Sequence, residues 1–402
     1  MPLITDTRAL EDFCRRLATA EFVTVDTEFM RERTYWPVLC LVQLAGPDEA
    51  RAVDALASGI ELKPLFELLA NERVLKVFHA ARQDLEIFHH LSGRLPTPVF
   101  DTQVAAMVCG FGDAVGYETL IAKLTKAHVD KGSRFTDWSL RPLSERQVAY
   151  ALNDVVLLRP AYEKLRNKLH ANGREAWLEE EMATLNAPVT YDGDPMLTYR
   201  RIKTRSANGR MLAVLRELAA WRDKEARRRD VPRNRILRDE ALVEIAHHTP
   251  ANAEQLARTR GLGAKMAHGP MGGEILACVR RGLAVPERDR PQPVARPELP
   301  RGLGPVADLL KVLLKMKSDD SHVASKLLAS SADIELIAAF GEAADVPALK
   351  GWRRQVFGDD ALKLIKGELT LAVRGKKLKL LPAARGNDHK RNQEVDHRDT
   401  EA

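Results

Sequence analysis

The stretch V-D-T-E-F at residues 25–29 decides how this chain is read. Val, Thr and Phe favour an extended strand, and residues two apart on a strand share a face, roughly 7 Å apart along the backbone. Asp26 and Glu28 therefore project together, while Val23, Val25 and Phe29 fill the opposite, buried face. Two like charges side by side on a core strand are costly unless a cation neutralises them. Two further segments carry acids. F-H-A-A-R-Q-D at residues 78–84 sets Asp84 in the first turn of a helix after a short strand, a place the helix dipole favours for an acid; His79 reads as a satisfied, buried histidine. Y-A-L-N-D at residues 150–154 lies on a helix begun by Ser144-Glu145-Arg146-Gln147, a capping-box pattern. Tyr150 and Asp154, four apart, share a helix face and address one site. Four carboxylates (Asp26, Glu28, Asp84, Asp154) suit two hard cations such as Mg²⁺, which prefer oxygen ligands. Such a pair, about 3.5–4 Å apart, is a standard device for cutting phosphodiesters. Taken singly, each segment also has a plain reading: solvated edge acids, a helix N-terminal acid, a chance Y-x-x-x-D.

The setting of these segments is an α/β layout, a mixed sheet flanked by helices, over about the first 170 residues. Helical periods at residues 7–17, 62–69 and 81–91 alternate with strand signals at 22–29, 39–44, 51–55, 74–78 and 99–100. Beyond residue 170 strand signals disappear, and the pattern predicts helices at 174–185, 211–229, 239–247 and 253–259. Five prolines within residues 286–300 predict an extended linker without regular structure. Short helices follow at 306–314, 322–328, 333–339 and 355–364, then a polar tail from about 386 that reads as disordered. Residues 237–246 and 328–338 align loosely, as an internal repeat would.

Composition is consistent with this. A chain of 402 residues exceeds what one hydrophobic core usually supports, so two or three domains are expected. A net charge of +6 with pI near 9.1 mildly favours a polyanionic partner. Cys14, Cys40, Cys109 and Cys278 are far apart with no zinc spacing, and read as reduced thiols of a cytoplasmic protein. No apolar run reaches the roughly 18 residues of a membrane helix, and the first ten residues have no signal-peptide pattern. Residues 221–235 hold Arg222, Lys224, Arg227, Arg228, Arg229, Arg233 and Arg235 against Asp223, Glu225 and Asp230. This reads either as a phosphate-binding patch or as a solvated helix face. Trp36, Phe135 and Trp138 read as core side chains. The basic stretch at 374–377 reads as solubilising.

In their order and context the three acidic segments resemble the three motifs of the DEDD exonuclease superfamily, in its tyrosine-bearing branch. Arg31-Glu32-Arg33-Thr34-Tyr35-Trp36-Pro37 and Leu39-Cys40-Leu41-Val42-Gln43-Leu44 resemble the stretch after the first motif in the bacterial ribonuclease D family. Leu215, Leu218, Trp221-Arg222, Ala226, Val231-Pro232 and Ile236-Leu237 resemble that family's helicase-and-RNase-D C-terminal (HRDC) domain. The resemblance implies a ribonuclease H-like exonuclease domain (1–190), a first HRDC domain (205–286), a linker (287–300), a second, divergent HRDC-like domain (301–380) and a tail (386–402). It implies two divalent ions, Mg²⁺ or Mn²⁺: Asp26, Glu28 and Asp154 on one, with Asp26 bridging to a second supported by Asp84, and Tyr150 orienting the attacking water. It implies a cytoplasmic 3′→5′ exoribonuclease releasing 5′-mononucleotides and trimming tRNA precursors and other small structured RNAs. Arg222, Arg227, Arg228, Arg229, Arg233 and Arg235 are then the expected nucleic-acid contacts, and a monomer is favoured. Two alternatives stay open: a DNA 3′→5′ exonuclease of the same superfamily, and a non-catalytic nucleic-acid-binding protein.

Overall fold

A computed structural model of the chain describes residues 3–129, 136–204, 207–293 and 299–383. The polar tail expected from 386 and Phe135 lie outside the described residues. The chain divides into two compact units, residues 1–106 with 114–297, and residues 107–113 with 298–402.

In the first unit the strands are β1 (Leu3–Ile4), β2 (Phe22–Met30), β3 (Val38–Ala45), β4 (Ala50–Asp54), β5 (Leu75–Phe78) and β6 (Val99–Asp101), in the order β1-β4-β3-β2-β5-β6. Pairs β2–β3 and β3–β4 are antiparallel, and β1–β4, β2–β5 and β5–β6 parallel, so the sheet is mixed as expected. β3 reads V-L-C-L-V-Q-L-A and is buried along nearly its whole length, the near-continuous apolar run of a strand covered on both faces. Val23, Val25, Leu41, Leu44, Val53 and Val77 are fully buried. The β2–β3 register shifts between Glu28 and Phe29. Strict alternation stops there, and Phe29, expected in the core, is only half-buried.

Helices α1 (Thr7–Leu17), α2 (Lys63–Leu69), α3 (Arg82–Ser92), α4 (Thr102–Val108), α5 (Tyr117–Thr125), α6 (Glu145–Val156), α7 (Leu158–Asn172) and α8 (Glu175–Leu185) accompany the sheet. The capping box at Ser144 and Gln147 forms and starts α6. α6 packs across β2, β3 and β4, and α7 continues over β2 and β5. After α8 the first helical module runs α9 (Gly209–Arg229), α10 (Arg233–Ile236), α11 (Asp239–His248), α12 (Ala253–Leu256), α13 (Ala264–Ala267) and α14 (Pro270–Ala284) around its own apolar core. In the linker, expected to lack regular structure, Glu287–Asp289 forms one 3₁₀ turn; proline at 286 suits the position just before such a turn.

The second unit contains α15 (Gly304–Ser321), α16 (Ser325–Leu328), α17 (Ser331–Phe340), α18 (Gly351–Arg353), a π-helical turn at Arg354–Gly358 and α19 (Asp359–Ile365). α15 is longer than its sequence pattern suggested, and residues 322–324 are a turn. This unit is not all-α. Strands β7 (Leu369–Arg374) and β8 (Lys377–Pro382) form an antiparallel hairpin, which corrects the expectation that strands end near residue 170. Four cations in its tip hid a strand pattern that otherwise alternates.

The two helical modules repeat one another locally. α9 ends at Asp230, with φ 49° and ψ 50°, and α15 at His322, with φ 48° and ψ 54°. A four-residue helix follows each, starting at Arg233 and at Ser325. Each then exits through an extended residue, Leu237 (φ −160°) and Ala329 (φ −157°), into a ten-residue helix. The offset is constant at 92 residues (230 to 322, 233 to 325, 237 to 329).

Helices α9 and α14 cross at Gly282, where an added Cβ would lie 2.4 Å from Val214 Cα. Gly282→Ala forces two backbones apart, so it is expected to destabilise the first helical module by about 1–3 kcal/mol. Thermal melting of the full chain checks this; an unchanged transition would contradict so close a crossing.

Candidate active site

Three of the expected acids meet. Asp26 and Glu28 leave β2 toward α6, and Asp154 comes down from α6. One carboxylate oxygen from each lies within 4.8 Å of the others. Asp84, in the first turn of α3, stands behind Asp26 and is 6% exposed. Its Oδ1 accepts a short hydrogen bond from Thr27 Oγ1, from the residue between the two β2 acids. Tyr150 lines the same cleft as Asp26 and Asp154, a space of about 350 Å³, and its ring leans on Trp138 at 6.2 Å. Trp138 is a core side chain, as its sequence suggests. Trp36 is half-buried and stacks on His90 at 3.8 Å.

The electrostatics follow from crowding. Burial pushes the Glu28 carboxyl up to about 9, and the charges of Asp26, Asp154 and Asp84 add to this. Burial, then Asp26, raises Asp154 to about 8. Burial raises Asp26 to about 6 and holds Asp84 well above the carboxylate range, with Asp26 adding to it. No cationic side chain is among the causes of these shifts. Asp154 Oδ1 is buried and accepts no hydrogen bond among the described residues. Three half-buried, oxygen-only donors with one carboxylate oxygen unused fit a hard divalent cation.

Several residues that sequence reasoning passed over build this arrangement. Pro160, in the first turn of α7, has no N–H to offer the carbonyl four residues back, and the helix is interrupted at Leu157 between α6 and α7. Side-chain hydroxyls bind the carbonyls beside the interruption. Thr24, two residues before Asp26 on β2, donates to Val155 O at 2.7 Å. The Tyr117 phenol lies 2.8 Å from Asp154 O and 3.0 Å from Asn153 O and shares its proton between them. Burial, with Asp154, Asp26 and Tyr150 adding, raises the Tyr117 phenol, so it stays a donor. Thr24 and Tyr117 thus fix the backbone of Asp154 against β2. Asp101, at the end of β6, does the same for α3. Its carboxylate accepts from the N–H groups of Ala80 (3.0 Å), Ala81 (2.8 Å) and Gln103 (2.7 Å), holding Ala80 at a φ of +60° and setting where Asp84 begins its helix. Gln43, opposite Asp26 on β3, is fully buried, and neither end of its amide is hydrogen-bonded among the described residues. Thr24 and Pro160 are marked in the sequence only by their nearness to Asp26 and Asp154, and Tyr117, Asp101 and Gln43 carry no local signal. His79 is half-buried rather than buried. It lines the cleft, with Nδ1 3.0 Å from Thr102 Oγ1 and its ring edge-on to Tyr117.

The arginine patch needs correction. Arg222 is 4% exposed and donates to Leu237 O (2.8 Å) and Asp239 Oδ1 (2.6 Å), so it is closed to a phosphate. Arg227 and Arg233 both pair with the fully buried Asp223, at 2.8 and 2.5 Å. They also donate to the Tyr35 phenol oxygen, at 3.0 and 2.5 Å. Asp230 accepts from the N–H groups of Tyr35 and Trp36. These charges tie α9 to the segment after β2, because a buried carboxylate needs cationic partners. Arg228 and Arg229 are paired with Glu225 but exposed. Arg235 is exposed with no acidic partner among the described residues.

Two outcomes are expected. The folded chain binds protons at these acids more tightly than the unfolded chain does, for which ordinary values near 4 apply. The site's contribution to stability is therefore complete below about pH 4 and is lost as pH rises through about 6, 8 and 9. Added Mg²⁺ should raise the melting temperature by a few degrees at pH 8.5 and by less at pH 6, and Asp154→Asn should remove the increment; equal increments at both pH values would contradict the cluster. Tyr117→Phe, which removes a hydrogen bond of about 1 kcal/mol, should keep the fold but raise the Mg²⁺ concentration for half-maximal activity severalfold, read from a metal titration.

The comparisons with known proteins agree with this geometry. A family model described as 3′-5′ exonuclease matches residues 1–170, and one described as HRDC domain matches residues 211–279. A curated Ribonuclease D of Granulibacter bethesdensis is 51% identical over 380 residues, covering 94% of this chain and 96% of that one. The Ribonuclease D of Nitrobacter hamburgensis is 50% identical over 373 residues, 93% and 97% of the two chains. The crystal structure of Escherichia coli RNase D, described as an exoribonuclease involved in structured RNA processing, matches with a TM-score of 0.76 at 29% identity over 90% of this chain and 98% of that one. Of the readings left open by the sequence these matches support the exoribonuclease: the chain belongs to the ribonuclease D family of 3′→5′ exoribonucleases.

Proposed function

We propose that this exoribonuclease trims the 3′ ends of tRNA precursors and other small structured RNAs, releasing 5′-mononucleotides with the help of two Mg²⁺ or Mn²⁺ ions. The observation that carries the reading is the convergence of Asp26, Glu28 and Asp154 within 4.8 Å, with Asp84 behind them and Tyr150 on the cleft wall. Asp26, Glu28 and Asp154 would hold one cation, and Asp26 with Asp84 the other. When bound, such ions neutralise the charge developing at the scissile phosphate and activate water. The chain's own residues do the rest. Tyr150, on the α6 face of Asp154, orients the attacking water through its phenol oxygen. Thr24 and Tyr117 keep Asp154 from retreating with its helix. Thr27 restrains the Asp84 carboxylate in one orientation.

On the helical side, Arg228, Arg229 and Arg235 remain the exposed arginines suited to phosphates. The second helical unit is a divergent HRDC copy, supported by the constant 92-residue offset between matching caps and helices (230 to 322, 233 to 325). The domain limits follow as 1–190, 205–286, 287–300 and 301–380. The four cysteines, all buried and none in a disulfide, suit the reducing cytoplasm, and no helix among the described residues is long and apolar enough to cross a membrane. A monomer is the expected state.

A time course on 3′-extended tRNA with Mg²⁺, Mn²⁺ or EDTA tests the reading. Mononucleotides should appear with either metal and not with EDTA. Asp26→Ala and Asp154→Ala should each abolish release while keeping the fold, and Tyr150→Phe should lose most activity yet still bind metal. Normal digestion by Asp26→Ala would show that the site is misassigned.

A further inference from the structure

The β7–β8 hairpin has an electrostatic pattern that the exonuclease site does not use. Its register pairs Ala372 with Lys379, Val373 with Leu378 and Arg374 with Lys377. Alternation along the two strands puts Thr370, Arg374, Lys377 and Lys379 on one face and Leu371, Val373, Leu378 and Leu380 on the other. Gly375, at a φ of +64°, makes the tight turn, and Lys376 beside it adds a fourth cation. Leu371 and Leu380 pack on the apolar core of the second unit and anchor the base. Toward the tip the apolar face is open: Val373 is 74% and Leu378 37% exposed.

Arg374, Lys376, Lys377 and Lys379 are all exposed, and none is paired with an acid among the described residues. Arg374 stands directly across from Lys377, and like charges in that position destabilise a strand pair. Several cations elsewhere in this unit are matched (Lys317 with Asp360, Lys350 with Asp345, and Arg354 with Asp359 and Glu342), and the exposed ones without an acidic partner among the described residues, such as Lys315, Lys326 and Lys363, are spread over separate helices rather than gathered on one face. A hairpin that concentrates unmatched cations on one face is suited to a partner that brings closely spaced negative charge.

We propose that this face is an RNA-backbone contact, in which Arg374, Lys376, Lys377 and Lys379 bind phosphates of the substrate away from the 3′ end being cut. The inference rests on the exoribonuclease reading, because a nuclease's own substrate is the polyanion it meets. Phosphate spacing along a strand matches side chains that alternate along a ribbon, and binding relieves the Arg374–Lys377 repulsion. The open Val373 and Leu378 give the ribbon an apolar edge beside the cations.

The test uses the full chain in EDTA with a stem-loop RNA carrying a single-stranded 3′ extension, its affinity measured from low to high salt. Each lost phosphate contact lowers the slope of log affinity against log salt by roughly 0.7–0.9. Replacing Arg374, Lys376, Lys377 and Lys379 together by Gln should lower the slope by about three to three and a half units and weaken binding at least about tenfold at low salt. Ala372→Glu adds an acid directly opposite Lys379, which should leave the hairpin as stable or more so while weakening RNA binding severalfold. Loss of affinity in this variant with an unchanged melting temperature excludes mere unfolding. Lys376, Lys377 and Lys379 changed together to Arg should keep the slope. A slope unchanged in the Gln and Glu variants overturns the proposal. So does loss of binding to vesicles of phosphatidylglycerol and phosphatidylcholine with RNA affinity intact, which would assign the hairpin to an anionic lipid surface. Release of mononucleotides from a short oligonucleotide by the unaltered protein with Mg²⁺ is measured in parallel; its failure would count against the nuclease reading itself, separately from the hairpin.

Discussion

Four carboxylic acids are crowded together with restricted access to water, Asp84 buried and Asp26, Glu28 and Asp154 half-buried, and the rest of the exonuclease domain is organised around their mutual repulsion. Left alone, Asp26, Glu28, Asp84 and Asp154 would keep their protons to pH values where carboxylic acids are normally ionised, or would move apart. Neither relaxation is easy. Asp26 and Glu28 belong to a strand paired on both sides in a buried sheet. Asp84 is tied to Thr27 and placed by a helix whose start is fixed by Asp101. Asp154 sits on a helix held by hydroxyls at the place where it would otherwise give way. At pH values where all four acids would ionise, stability is lost to a charge repulsion that a bound cation relieves, as is common where a protein does chemistry.

The interruption between α6 and α7 shows how fold and site are coupled. A continuous helix would satisfy its own carbonyls and owe nothing to β2. Beside the interruption at Leu157 the carbonyls of Val155 and Asp154 take outside donors, Thr24, on the same strand as two of the acids, and Tyr117, on the cleft wall. The third acid is thereby referenced to the first two through hydrogen bonds of 2.7 and 2.8 Å. A similar economy explains the arginines of α9 and α10. They are abundant enough to suggest nucleic acid, yet Asp223 and Tyr35 engage two of them, and Arg222 is consumed by Asp239 and a carbonyl.

What was legible in the sequence was what depends on short-range pattern. Strand alternation put Asp26 and Glu28 on one face, the capping box fixed the start of α6, and a spacing of four joined Tyr150 to Asp154. The mixed sheet followed from strand and helix alternation. Less legible was whatever depends on partners far away along the chain. The Thr24–Val155 and Tyr117–Asp154 bonds join residues 131 and 37 apart, and nothing local marks them. Charge counting failed for Arg222, and overstated the free charge at Arg227 and Arg233, because a count cannot tell a buried or paired guanidinium from a free one. The β7–β8 hairpin was missed because its cations masked a period-two pattern. Phe29 was expected to be buried and is half-buried, beside a register shift that is a property of two strands and so invisible in one.

The central claim is that Asp26, Glu28 and Asp154 form a cation cage rather than a chance cluster of protonated acids. Diffraction from crystals of the full chain soaked in Mn²⁺, with anomalous differences recorded at the manganese edge, tests it most directly. A strong peak bonded to carboxylate oxygens of all three residues is the predicted result. A map without density among them, at Mn²⁺ concentrations that support catalysis, would contradict it.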